Sequence, residues 1–413
     1  MTNHNSHYGT ANRCALDRIA ACEPVLTGIE TARDALGLQE GELGHAGPPF
    51  ADDETLPATV LNALAGAAVI EGWAGTIHQA RRMIEQRDIT LRSNHGLGTV
   101  SPMAGVVRPS QPLMRVENRK GYGVCYATFA EGGRRALRFG VYDEQVAEQL
   151  AFVERRVAPA IAAGLPSNGL AVLPLVAEGV CLGDDVHQRN IGGMYAFIKA
   201  LPDIDTEVRR WLLDNPQHFL NYAMASAKLS LDRARGVEGS SIVVAIARNG
   251  NVCGIQLAGT GEQWFCATSG IPDGGFYPPF CVDDAQPDLG DSAIMEAFGL
   301  GGTAAHCAPQ MAESLNTPWS AAVSVGHLQR SFFLAAHPLM HPALAGDQGL
   351  GLGLDARRVV DERTGVRIHT GVAHRDGSTG WIGIGAVSAP LACFTRACAQ
   401  LDAMTTEQLE TYV

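Results

Sequence analysis

The sequence predicts an α+β or irregular α/β protein, with mixed-sheet domains and a separate small helical subdomain. Three observations carry this expectation. An Asn-Gly pair lies between two apolar runs in SSIVVAIARNGNVCGIQLAG (240–259), the strongest short-range sign of a β-hairpin, because a tight primed turn needs positive φ at both central positions. From about 144 to 236 almost every segment has helical spacing. The remaining strands alternate with helical blocks without a regular βαβ rhythm. A chain of 413 residues is too long for one ordinary hydrophobic core. The expected units are an N-terminal α/β domain (1–143), a mainly helical subdomain (144–236) and a C-terminal α/β domain (237–413).

Taken in order, residues 10–22 (TANRCALDRIAAC) repeat apolar positions at helical spacing, and 56–86 carry a long alanine-rich amphipathic pattern. Between 87 and 142 the texture turns to short β-like pieces, GTVSPMAGVV, PLMRVEN and GYGVCYATF, punctuated by Gly and Pro. The helical block that follows breaks near 164–169, Pro202 and Pro216. After the hairpin, helices are expected at 291–299, 303–315 and 318–335. A Gly- and Pro-rich loop fills 337–355. Strands at 366–373 and 381–388 and a helix from 391 complete the chain.

Net charge is −12, from 31 basic and 43 acidic residues, and no Lys/Arg cluster exceeds three. Nucleic acid and anionic membranes are therefore poor partners. The apolar share of 46% with 18% charged residues is globular. Ten cysteines form no C-x-x-C pair and several sit in apolar runs, which reads as free thiols in a reducing cytoplasm. The N-terminus MTNHNSHYGT lacks the pattern of a secretory leader. The uncharged stretch 377–395 is broken by glycines and Pro390 and is not a membrane span. A cytoplasmic enzyme or enzyme subunit is the expectation.

The stretch GDDVHQRN (183–190), set between LAVLPLVAEGVCL and IGGMYAFIKAL, concentrates polar groups that cost free energy unless they pair with each other or with a ligand. On a helix, Asp184 and His187 share a face, as do His187 and Asn190, while Asp185 and Arg189 are spaced for an ion pair. As chemistry, Asp184 would orient His187 as an acid or base, with Arg189 and Asn190 facing an anionic or amide substrate. A polar helix surface with one intrahelical salt bridge is the alternative. Asn221 and Lys228 fall on one face of a helix expected at 218–234. Glu238 follows, and Arg248 and Asn249 stand at the hairpin tip, where a guanidinium fork would suit a carboxylate or phosphate; solvated charge and an ordinary turn would explain them equally. Asp291 suits an N-cap whose helix start, with Ser292, would offer free N–H groups to an anion. His95 sits in a loop of small residues that permits close backbone approach, and His374 ends HTGVAH (369–374). A lone histidine is more often a satisfied core or surface residue. GLGLGLD (349–355) is no P-loop, since the Lys-Ser/Thr pair is missing. Asp184, His187 and Asp291 lack the spacing of a metal-ligand set, so no metal or cofactor is expected.

HAGPP (45–49), HGLGTVSPMAGVVRPSQP (95–112), LRFGVYDEQV (137–146), GDDVHQRN (183–190), HFLNYAMASAKLSLDRARGVEGSSIVVAIARNG (218–250), PDLGDSAI (287–294) and TGVAH (370–374) resemble the domain-of-unknown-function 1116 family over nearly the whole chain. Its characterised members include the large subunit of bacterial oxamate carbamoyltransferase, from anaerobic allantoin breakdown. The resemblance implies mixed α/β domains plus a small helical one, and partner subunits, one of them similar to acyl-CoA synthetases. Relatives tend to carry a small polar residue where this chain has Arg108. A guanidinium near a substrate loop would shift preference toward another acid. The S-x-R-T-R run of ordinary transcarbamoylases is missing, so any carbamoyl phosphate site would be built differently.

The expected activity is carbamoyl transfer between phosphate and the nitrogen of a small amide such as oxamate. Arg189, Lys228 and Arg248 would hold phosphate, and Asn190, Asn249 or the amides before 291 would stabilise the tetrahedral oxyanion. His187 would take the proton of the attacking nitrogen, with His95 second. Asn221, Glu238, Ser292, His374 and Arg108 complete the expected substrate contacts. Two rivals are an amidohydrolase for a small amide or ureide and a non-catalytic subunit of a larger transferase. Expected partners are the amide, phosphate or carbamoyl phosphate, other subunits and further copies of the chain.

Overall fold

The structure is a computed structural model describing the backbone of residues 2–411 and the side chains of 9–406. Helices and small, mostly antiparallel sheets alternate irregularly, the α+β architecture expected. A five-stranded sheet runs, in spatial order, through Thr99–Val100, Val124–Thr128, Pro112–Asn118, Pro24–Thr31 and Leu170–Ala171. A four-stranded sheet is ordered Phe265–Thr268, Val252–Leu257, Val243–Asn249 and Leu289–Gly290. A three-stranded sheet is ordered Asp273–Phe276, Trp381–Ser388 and Arg367–Ala373. Two further pairs join Glu42–His45 to Thr90–Ser93 and Phe333–Ala336 to Gly351–Leu354.

The helix Phe219–Asp232 is the hub. Every residue from Phe219 to Leu231 is buried, the signature of a helix packed on all sides, and it touches strands of both larger sheets. The largest apolar cluster gathers residues from Ala11 to Leu401, so both ends of the chain pack into one core. A second cluster surrounds the helix Ala58–Ile70. No helix among the described residues is long and apolar enough to cross a membrane. The N-terminal stretch MTNHNSHYGT, expected not to be a secretory leader, lies largely among side chains outside the described range.

Several elements depart from expectation for local reasons. The pattern over 56–86 is two helices, Ala58–Ile70 and Ile77–Glu85, separated at Gly72, whose φ of 77° no helix continues. The hairpin 243–257 forms, but only Gly250 has positive φ. Asn249 instead bends the chain with its side chain, whose oxygen accepts N–H bonds from Asn251 and Val252 at 3.0 and 2.9 Å. The strand Gly351–Leu354 lies inside what reads as a loop, and Pro24–Thr31 and Glu42–His45 lie where no strand is expected. Residues 183–190 are not helical. Leu173–Cys181 ends before them, Gly183 and Val186 adopt φ of 87° and 52°, and the next helix starts at Ile191. The Asp185 carboxylate replaces the missing helical acceptors, taking N–H bonds from His187, Gln188 and Arg189 at 3.1, 3.0 and 2.7 Å.

Candidate functional site

Two adjoining cavities of about 30 Å³ each share Pro102, Ala130 and Arg138 in their walls. Ser101, Thr128, Glu131, Gln111 and Arg108 complete the polar lining of the first; Gln188, Gln217, Ser292 and Gly371 belong to the second. The loop after Thr99–Val100 reaches this point because Pro102 bridges to Gly290. A Cβ on Gly290, at φ 122°, would stand 2.7 Å from the Met103 nitrogen, so only glycine allows the two loops to meet. Ser101 and Thr128 share a hydroxyl hydrogen bond of 2.7 Å. Arg138 donates from Nη1 to one Glu131 oxygen at 2.8 Å, while its backbone N–H meets the other at 2.9 Å. No hydrogen bond among the described residues engages its Nε or Nη2, which leaves part of a planar fork for a ligand. Arg108, nearly inaccessible, pairs with Glu71 at 2.9 Å and with Glu154. Both cations of the cavities are thus already matched by carboxylates.

Beside the second cavity lies an interlocked buried network. His187 Nδ1 meets the two Glu296 oxygens at 2.8 and 2.9 Å, and His369 Nδ1 meets Asp185 at 2.7 Å. Glu296 also accepts from the backbone N–H of Gly302 and His369, at 2.9 and 3.1 Å. Burial works against the Asp185 charge, yet the His369 hydrogen bond and charge hold its carboxyl below the usual carboxylate range. His187 Nε2 is buried with no partner among the described residues. The expected Asp184–His187 and Asp185–Arg189 pairs do not form, because the segment is a loop. Asp184 instead pairs with Arg189 and accepts from Gly193 N–H at 2.8 Å. Burial pushes the Asp184 carboxyl up to about 6.

The other expected residues divide. Ser292 and Arg108 line the cavities. Asn190 donates to the His187 carbonyl and to Gln217 at 3.1 and 2.9 Å, backing the cavity wall. Asp291 is not the side-chain cap of the next helix, which begins at Ile294 with no such cap. Its carboxylate accepts instead from Gly47 N–H (2.8 Å), Asn94 (3.0 Å) and Ser101 N–H (3.0 Å), and burial pushes it up to about 6. His95 lies 3.5 Å from Asp291 and edge-on to Trp264; both ring nitrogens lack hydrogen-bond partners among the described residues, and burial takes its pKa well below the ordinary histidine value.

Arg248 does not stand at a solvated tip. It is fully buried and bound to Asp288 at 2.7 and 3.2 Å, to the Gly290 carbonyl at 2.6 Å and to Thr370 at 3.3 Å. Asn249 is occupied by the turn and by the Pro48 carbonyl at 3.1 Å. Lys228 is buried against Asp232 at 2.7 Å, and Asn221 donates to the His218 carbonyl one turn back at 3.2 Å. Glu238 is exposed. His374 stands past the end of its strand against Phe280, with Asp376 at 3.0 Å and Asp284 at 3.9 Å, outside both cavities. Among the described residues, no three His, Cys, Asp or Glu side chains gather as a metal site.

Sequence reasoning passed over Arg138, Glu131, Ser101, Thr128, Gln188, Gln217, Glu296 and His369. Arg138, Ser101 and Gln188 lie inside segments already singled out, 137–146, 95–112 and 183–190. Glu296 is the one charged residue of AIMEAFGL (293–300), a signal of a buried, partnered carboxylate.

Residues 89–292 match the family described as oxamate carbamoyltransferase subunit AllG. Oxamate carbamoyltransferase subunit AllG of Escherichia coli (strain K12) is 35% identical over 402 residues, covering 94% of this chain and 96% of that protein. The uncharacterized protein YahG of the same organism is 30% identical over 399 residues, covering 94% and 84%. A crystal structure of a conserved protein of unknown function from Enterococcus faecalis V583 superposes with a TM-score of 0.90 at 26% identity, over 96% of this chain and 98% of that one.

Proposed function

The chain belongs to the oxamate carbamoyltransferase subunit AllG family, and from that premise we propose that it supplies the amide site of an assembly that transfers a carbamoyl group between phosphate and the nitrogen of a small amide such as oxamate. One observation carries the reading. All the family-like segments except 45–49 send a residue to the two cavities: Ser101, Arg138, Gln188, Leu220, Ser292 and Gly371 come from six separate stretches of chain. Segment 45–49 packs behind them, its Gly47 N–H on Asp291 and its Pro48 carbonyl on Asn249.

In this reading the open edge of Arg138 takes the carboxylate of the amide. Ser101, Ser292, Gln188 and Gln217 offer donors and acceptors to the amide and to the oxyanion that forms when nitrogen attacks the carbamoyl carbon. His187, oriented by Glu296 and not by Asp184, takes the proton from that nitrogen. Arg189, Lys228 and Arg248 each already face a carboxylate, so they are poor phosphate holders. With Arg138 and Arg108 also matched, the cavities carry no surplus positive charge for a dianion. That balance favours a neutral or monoanionic amide here and a phosphate site completed by another subunit.

Two measurements test this. Calorimetric titration of the purified chain with oxamate should show saturable binding that weakens at least tenfold in Arg138→Gln. Cleavage of a carbamoylated amide by the assembled subunits should require phosphate or arsenate. Cleavage that is indifferent to both would make the protein an amidohydrolase.

A further inference from the structure

A third cavity of about 30 Å³ opens where the strand Arg367–Ala373 meets the helix Trp319–Ser331. Arg367 and His369 alternate onto one strand face, and both line it, with Thr317 and the apolar walls Leu315, Ala322 and Val325. The Arg367 side chain is half-buried. Among the described residues no carboxylate lies within ion-pair distance of its guanidinium and no hydrogen bond engages it. This sets it apart from Arg108, Arg138 and Arg248, each of which meets a carboxylate. A guanidinium stays charged at any working pH; the Arg367 head keeps contact with water, so a small anion can reach it, and Asp273, the carboxylate acting on it, makes no ion pair with it. His369 commits Nδ1 to Asp185, which leaves Nε2 as its remaining polar atom.

We propose that this cavity is a binding site for a small carboxylate of the size of formate or acetate, distinct from the amide site. The volume holds about two water molecules, close to the three heavy atoms of formate, and the mouth of the cavity leaves space for the methyl of acetate. The guanidinium presents two parallel N–H donors to a planar carboxylate, Thr317 and His369 flank it, and the alanine, valine and leucine walls accept a methyl group. The proposal does not depend on the carbamoyl-transfer reading.

The experiment is a thermal-unfolding titration of the full chain with sodium formate against sodium chloride at matched ionic strength, in wild type, Arg367→Gln, Val325→Trp and Arg138→Gln. A ligand that binds the folded state raises the midpoint saturably. Wild type and R138Q should show this rise with formate and not with chloride. R367Q should need at least tenfold more formate, and V325W, which keeps the guanidinium but fills the cavity, should lose the response. Should R367Q fail to fold, V325W decides alone. No formate-specific rise in wild type, an equal response to chloride, or an undiminished response in either cavity variant would overturn the assignment. Loss of the rise in R138Q alone would place the formate in the amide site and overturn it too.

Discussion

At Arg248, hydrogen bonds to Asp288, Gly290 and Thr370 occupy most of the guanidinium in a site with no solvent access. Arg248→Ala is therefore expected to act on stability, leaving Asp288 buried without its partner at a cost of about 3–5 kcal/mol. Urea denaturation measures it; loss of substrate affinity with unchanged stability would contradict the assignment. In the proposed reaction His187 acts as the base instead. His187→Ala should lower turnover by about a hundredfold, while Glu296→Gln, which keeps the shape but not the charge, should lower kcat with little effect on KM. Equal loss in KM would make Glu296 a substrate contact. Asp291 adds a pH signature. Burial raises its carboxyl to about 6 from an ordinary 3.8, so the folded state binds that proton more tightly than the unfolded chain. The resulting stability is fully present below about pH 4 and is lost as pH rises through 6. Asp184, also raised to about 6, contributes in the same direction. Asp291→Asn should flatten, not abolish, the fall in unfolding free energy between pH 4 and 6; an unaltered slope would place the titration elsewhere. At this scale the sequence showed which polar residues sit in apolar surroundings, His187 and Arg248 among them. It did not show their partners, because Glu296 lies 109 residues from His187 and Asp288 lies 40 from Arg248, beyond any local spacing rule.

Among the elements, the loop 183–190 is positioned more by what grips it than by its own conformation. Asp185 holds its backbone, Asn190 and Gln217 hold the His187 carbonyl, and Glu296 holds the imidazole. The turn carrying Gly301 closes over this grip: at φ 58° a Cβ there would strike the Glu296 carboxylate. Gly301→Ala should thus destabilise the fold by more than about 1 kcal/mol and reduce activity through His187, measured together by urea unfolding and turnover. An intact, fully active G301A protein would show that the grip is slack. Elements with strong patterns were legible: the hairpin 243–257, the strands near 366–373 and 381–388, and the helices between 144 and 236 all appear close to their expected places. Glu42–His45 and Gly351–Leu354 were not, since four residues are too few to set a period. The loop 183–190 misled because its i, i+3 and i, i+4 spacings fit a helix, while the left-handed Val186 that breaks it leaves no compositional trace.

For the whole molecule, one core joins Ala11 to Leu401, and the walls of the two cavities proposed as the amide site come from segments more than 250 residues apart, Ser101 and Gly371 among them. The family membership, together with cavities that hold no spare cation, leads to a concrete expectation. The chain alone should bind the amide yet transfer carbamoyl groups slowly. Mixing with its partner subunits should raise phosphate-dependent turnover by at least tenfold, while full activity of the isolated chain would show that the phosphate site is already complete. The strand Arg367–Ala373 is the last but one in the chain. It delivers His369 to Asp185 and Glu296, and Thr370 to Arg248. A nascent chain from which residues 364 onward have not yet emerged from the ribosome therefore holds two carboxylates in its interior with part of their compensation missing. Such an intermediate is open to chaperone capture and aggregation, and the pairing of this late strand is the event that would release it.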